Sequence, residues 1–133
     1  MSHDTAPHLP QLASLIATAK KAGADAADAI LVKSTSLSAI LRLDQTERVE
    51  RLESADLGLR VFVGRRMAIV SSADQSQKAL DAMVDRAVAM ARAVPEDPYA
   101  GLAEPDDIVG QMPAIDLLDE EEPSAEVLIG RAR

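Results

Sequence analysis

The chain has 133 residues, 47% of them hydrophobic and 27% charged, with a net charge of −8. That is enough for one ordinary domain with its own core. Cysteine and Trp are absent, and there is one Tyr and one Phe. Disulfides, thiolate metal sites and cysteine nucleophiles are therefore excluded. So few aromatic faces, with a net negative charge, argue against nucleic acid as a partner. No apolar run approaches the ~20 residues that span a bilayer, and no basic-then-apolar leader opens the chain. The expected setting is cytoplasmic, with no membrane partner.

The charge is unevenly placed. Residues 1–94 carry 12 Lys/Arg against 11 Asp/Glu, whereas residues 95–133 carry 2 against 11. Five prolines, from Pro95 to Pro123, also fall in the second part and disfavour regular structure there. The sequence therefore divides into an N-terminal domain over 1–94 and an acidic linker or arm over 95–133.

A first helix is predicted from Leu9 to about Ala22, because Leu9, Leu12, Leu15, Ile16 and Ala19 recur at three- and four-residue steps. Pro7 and Pro10 suit its first turn, Lys20 and Lys21 its last, and Gly23 the position just past its end. The period then falls to two. Ile30 and Val32 mark one strand, and Leu37, Ala39, Leu41 and Leu43 a second. The apolar phase moves from even to odd numbers across Ser34-Thr35-Ser36, where a bulge, bend or turn is expected. Asp44-Gln45-Thr46 reads as a hairpin turn. Thr46–Ser54 reads as a polar strand with only Val49 and Leu52 apolar.

Leu57, Leu59, Val61 and Val63 alternate cleanly, Gly64-Arg65 reads as a turn, and Met67–Ser71 returns as the partner strand. A second helix begins near Asp74 or Ser76. Leu80, Met83, Val84, Ala87, Met90, Ala91 and Val94 form its apolar stripe, and Pro95 stops it. The expected fold class is α+β: a mostly antiparallel four- to five-stranded sheet, two amphipathic helices packed on one face, and an acidic, Pro-containing C-terminal arm. Ser124 starts a further helix that has little room before Arg133, so the chain reads as a fragment of a longer product.

No catalytic or metal site is expected. His3 and His8 lie five apart, on neither one helical face nor one side of a strand. No nucleophile-elbow, zinc-helix or phosphate-loop pattern occurs. The run Asp119-Glu120-Glu121-Glu122 and the pair Asp106-Asp107 read as solvated charge, Met83 and Met90 as core filling, and Arg65-Arg66 as a solvated turn able to grip a carboxylate. The candidate contact residues are Glu47, Arg48, Val49, Glu50, Arg51 and Leu52. Their alternating charges suit an edge that blocks unwanted strand pairing, and the same edge can accept a partner or an extended peptide.

The stretch from Val49 through Gly64 (VERLESADLGLRVFVG) is similar to the N-terminal domain of the TldD/PmbA family. So are Ser71-Ser72-Ala73-Asp74 with the helix that follows, and Pro95-Glu96-Asp97-Pro98-Tyr99-Ala100-Gly101-Leu102-Ala103 after it. The last segment resembles the PmbA (TldE) branch. The resemblance implies an N-terminal α/β domain of a much longer protein. The TldD branch carries the zinc ligands of a metalloprotease in its C-terminal part, and the PmbA branch lacks them. By that resemblance this chain holds no cofactor of its own and no catalytic residue. Its expected role is as a scaffold or assembly domain beside a TldD-like subunit acting on peptides. The alternative is a stand-alone adaptor that binds a partner through the 46–54 edge.

Overall fold

The computed structural model describes residues 8–111, 113–117, 119 and 121–133. The elements run α1 (Leu9–Lys21), β1 (Ala26–Arg42), β2 (Gln45–Val63), β3 (Arg66–Ser72), α2 (Gln77–Ala93), a 3₁₀ turn (Pro105–Asp107) and α3 (Ala125–Ala132). The fold is α+β, with one antiparallel sheet of order β1-β2-β3.

The sheet has three strands, not the four to five expected. β1 and β2 are 17 and 19 residues long and run uninterrupted through the expected breaks. The strand makes no phase shift at Ser34-Thr35-Ser36, because Ile30 and Val32 do not face inward. They are exposed, while Ala27, Ala29, Leu31, Leu37, Ala39 and Leu41 keep one odd-numbered, more buried phase along the strand. The first hairpin turn is also displaced by a residue. Leu43 and Asp44 form it at φ +49° and +60°, the signature of a tight two-residue hairpin loop.

The chain forms two compact units. One comprises the residues up to Val32 together with Ala55–Pro105, and the other Lys33–Ser54 with Asp106–Arg133. In the first unit, β2 and β3 pair Leu59 with Val70 and Val61 with Ala68, all four turned into the core. Their neighbours Arg60 and Ile69 pair on the opposite face. Leu15 and Ala19 of α1 and Leu80, Met83, Val84, Ala87, Val88 and Ala91 of α2 complete the core. Ala19, Ala87 and Ala91 are wholly buried in this core. Met90 is 43% exposed rather than core, because Val88 takes the sixth place in the stripe and turns Met90 to its flank.

Local chemistry sets the helix ends. The Ser76 hydroxyl accepts from Ala79 N at 3.3 Å and caps α2. Asp74 accepts from Ser76 N at 2.8 Å and braces that cap. Past α1, Gly23 at φ +106° reverses the chain into β1, and Ala24 N returns to Ala19 O. Asp25 ties both ends of β1's entry to the second hairpin: its N–H donates to Phe62 O at 2.8 Å, and its carboxylate accepts from Gly64 N at 2.6 Å.

In the second unit, α3 is capped by Ser124, which accepts from Val127 N at 3.4 Å, and Arg131 lies 3.5 Å from Glu121.

Candidate functional site

The residues Glu47, Arg48, Val49, Glu50, Arg51 and Leu52 all lie on β2 and all are exposed. β3 pairs with β2 only over Leu57–Val63. Among the described residues, the Gln45–Asp56 half of β2 therefore has no strand on its second side. Its charges are matched along the strand: Arg48 reaches Glu50 at 2.5 Å, and Arg51 reaches Glu53 at 2.9 Å. Residues two apart share a face, so these pairs neutralise each other there. Val49 and Leu52 remain as uncharged side chains at 45% and 60% exposure. The segment is thus a nearly neutral edge with two apolar side chains open to water, able to pair with an added strand.

A second surface was not read from the sequence. The face of the sheet opposite the helices carries Asp28, Ile30, Gly58, Arg60 and Ile69, which line an open depression of about 470 Å³. Gly58 shapes it. A Cβ there would stand 3.1 Å from Ile30 Cγ2, so the Ile30 side chain occupies the space a larger residue would need. The Arg60 guanidinium closes one side, donating from Nε to Asp28 Oδ1 at 2.9 Å and from Nη2 to Asp28 Oδ2, and lies 5.3 Å from the Phe62 ring centre. The hydrogen bond with Asp28 raises the Arg60 pKa, so this group stays a cation and takes no part in proton transfer. Ile30 and Ile69 are 61% and 59% exposed. The available signal was Gly58 standing midway in a strand pattern, which marks a close approach by a neighbour.

The remaining candidates resolve as follows. Arg66 does grip a carboxylate, that of Glu96 at 3.2 Å, and Arg65 donates to Pro98 O at 2.6 Å. Asp106 and Asp107 form the exposed 3₁₀ turn, and Asp119, Glu121 and Glu122 are exposed. His3 and Glu120 lie outside the described residues. Met83 is buried in the core. Two carboxylates titrate below their ordinary range: Asp74, held down by its bond from the Ser76 backbone, and Glu126, by its bond with the Ser124 side chain. Both are helix-capping groups.

Among the described residues, no group of three or more His, Cys, Asp or Glu is placed to hold a metal ion. The described residues therefore offer no ligand set for a zinc ion. No helix of the described residues is long and apolar enough to cross a membrane.

Residues 27–91 match the model of PmbA/TldA metallopeptidase domain 1. Over 99 residues, 74% of this chain, the sequence is 34% identical to the metalloprotease PmbA homologue of Haemophilus influenzae. Over 105 residues, 79% of the chain, it is 32% identical to metalloprotease PmbA of Escherichia coli O157:H7. The chain spans only 22% and 23% of those two relatives' lengths. The fold is that of a proposed modulator of DNA gyrase from Bacteroides thetaiotaomicron, with a TM-score of 0.74 and 23% identity over 82% of this chain and 24% of the other. TldE of Thermococcus kodakarensis shares it at a TM-score of 0.63 and 18% identity, over 70% of this chain and 21% of that one. On these sequence relationships the chain belongs to the PmbA/TldD family, matching its N-terminal domain.

Proposed function

We propose that this chain acts as the N-terminal scaffold and assembly domain of a PmbA (TldE)-like subunit, working in the cytoplasm beside a TldD-like subunit that cleaves peptides. In this reading the chain supplies no catalytic group, and zinc belongs to the partner. The observation that carries it is the contrast between the two faces of the sheet. Helices cover one face and bury its Leu and Val residues, while the opposite face exposes Ile30 and Ile69. The unpaired edge at Glu47–Leu52 adds a second contact surface. Such a domain has surface to offer a partner, and among the described residues no group of three or more His, Cys, Asp or Glu is placed to hold a metal ion.

The test is size-exclusion chromatography of the chain with a TldD-type subunit from the same organism, with peptide cleavage followed in the same fractions. Co-elution, with cleavage only when the TldD-type subunit is present, supports the reading. Peptide cleavage by this chain alone would overturn it. Capture of other proteins through the 46–54 edge, with no affinity for a TldD-type subunit, would favour the stand-alone adaptor.

A further inference from the structure

β1 lies at the edge of the sheet, and among the described residues no strand pairs with its second side. It runs uninterrupted for 17 residues and keeps one alternation of faces throughout. An edge this long is ordinarily blunted by charge, proline or a bulge, because its free N–H and C=O groups template another strand. β1 has three charged residues, Asp28, Lys33 and Arg42, and no proline. The stretch from Ser34 to Leu41 carries no charge, and Ile30, Val32 and Ile40 are exposed on one face.

The turn at Leu43 and Asp44 has two residues, so Arg42 directs its backbone groups toward β2. That direction alternates along a strand. The odd-numbered residues, Thr35 among them, therefore aim their N–H and C=O at the open side.

The side chains specify which strand fits there. A two-fold axis normal to the sheet leaves each face on its own side, so residues that meet across it are both even or both odd. Asp28 and Lys33 differ in parity and cannot meet. Asp28 and Arg42 share it, and they meet when the axis passes through Thr35. In that register Asp28 faces Arg42 at both ends, Ile30 faces Ile40, and Ala29 and Leu31 face Leu41 and Ala39. All of β1 except Ala26 and Ala27 is then paired, and no like charges oppose each other. Registers centred on Asp28, Lys33 or Arg42 set like charges face to face instead. The Asp28 side chain is 44% exposed beside Arg60, so its remaining lone pairs are open to Arg42 of a second copy.

We propose that β1 pairs antiparallel with β1 of a second copy of this chain, with the two-fold axis at Thr35, so that two three-stranded sheets join into one. The pairing goes beyond the assembly role proposed above and does not depend on it.

The experiment is sedimentation of the full chain over a range of concentrations, with disulfide trapping to read the register. The wild type should show a reversible monomer–dimer equilibrium, and a chain still monomeric at about 1 mM would overturn the proposal. Thr35→Pro removes an N–H on the open side and spares the β1–β2 ladder. It should weaken dimerisation about tenfold or more with the circular dichroism unchanged. Arg42→Glu sets a second carboxylate against Asp28 and should weaken dimerisation severalfold, chiefly at low salt. Dimerisation of Thr35→Pro within twofold of wild type would overturn the edge contact, and the same result for Arg42→Glu would overturn the register. The chain has no cysteine, so introduced thiols report alone. Chains carrying Val32→Cys should crosslink with chains carrying Ser38→Cys, since those positions face each other at a Cα separation of about 4.5 Å. Neither should crosslink with itself, because the same position on the two copies lies about 20 Å apart along the strands. Equal crosslinking in the unmixed samples would also overturn the register.

Discussion

Arg60 holds Asp28 through two parallel hydrogen bonds and covers the Phe62 ring with the same guanidinium group. The pair therefore ties β1 to β2 on the sheet face opposite the core. Its side chains are 38% and 44% exposed, so water screens the charge, and the fork geometry carries most of the benefit. Arg60→Ala should destabilise by about 1 kcal/mol, more than Asp28→Ala, because it also uncovers Phe62. A double-mutant cycle by urea unfolding should return a coupling of about 0.5 kcal/mol or more. A coupling near zero would show the pair to be incidental.

The two faces of the sheet should respond differently to truncation. Leu59 is fully buried against the helices, and Ile69 is 59% exposed on the other face. Leu59→Ala should cost about 2–5 kcal/mol, as buried leucines do, and Ile69→Ala under about 1 kcal/mol. Thermal unfolding of both variants gives the comparison. Equal losses would mean that the Ile69 face is covered in solution.

Leu43 carries backbone strain with no packing to offset it. It adopts φ +49° and is 90% exposed. The left-handed conformation costs an L-residue roughly 1–2 kcal/mol, and Asn tolerates it best in the first position of such a turn. Leu43→Asn should raise the urea midpoint by an amount worth about 1 kcal/mol, with an unchanged denaturant slope. A lowered midpoint would contradict the turn assignment.

α1, the Leu57–Ser71 hairpin and α2 are legible in the sequence because one face of each is covered by one core, so burial follows periodicity. The division of β1 and β2 is not, and the reason is specific. Ile30 and Val32 are exposed, and their hydrophobicity imitates a change of strand phase that the backbone does not make. The edge character of Thr46–Ser54 is legible from charge alone, since polar residues mark a strand that buries little. The depression over Gly58 is not, because Asp28 and Ile30 meet residues 58 and 60 through cross-strand pairing that no local spacing encodes. The docking of Pro98 on the β2–β3 turn escaped for a related reason. It depends on Arg65, 33 positions earlier, and a proline-rich acidic stretch reads as unstructured.

Asp74 gives the chain an acid-sensitive point. Its pKa is lowered by the bonds it accepts from Ser76, so the folded state binds its proton less readily than the unfolded state. The stability it contributes is complete above the ordinary carboxylate value of about 4 and is lost as pH falls below it. Asp74→Asn should therefore flatten the fall of unfolding midpoint between about pH 5 and pH 3, measured by urea titration at each pH. An unchanged acid limb would place the proton uptake at other carboxylates.

The edge strand makes the last prediction. Val49 and Leu52 are its exposed apolar side chains, and its ionic pairs are internally matched. Contact with a partner through this edge therefore draws on backbone hydrogen bonds and those two side chains more than on charge. Leu52→Lys should weaken association with a TldD-type subunit severalfold while leaving thermal stability within about 0.5 kcal/mol, the range of exposed substitutions. Reversing both ends of a matched pair, as in Arg51→Glu with Glu53→Arg, should change association little, because the face stays neutral. A large loss from the reversal and none from Leu52→Lys would mean that the edge is read by its charges and that the apolar positions are incidental.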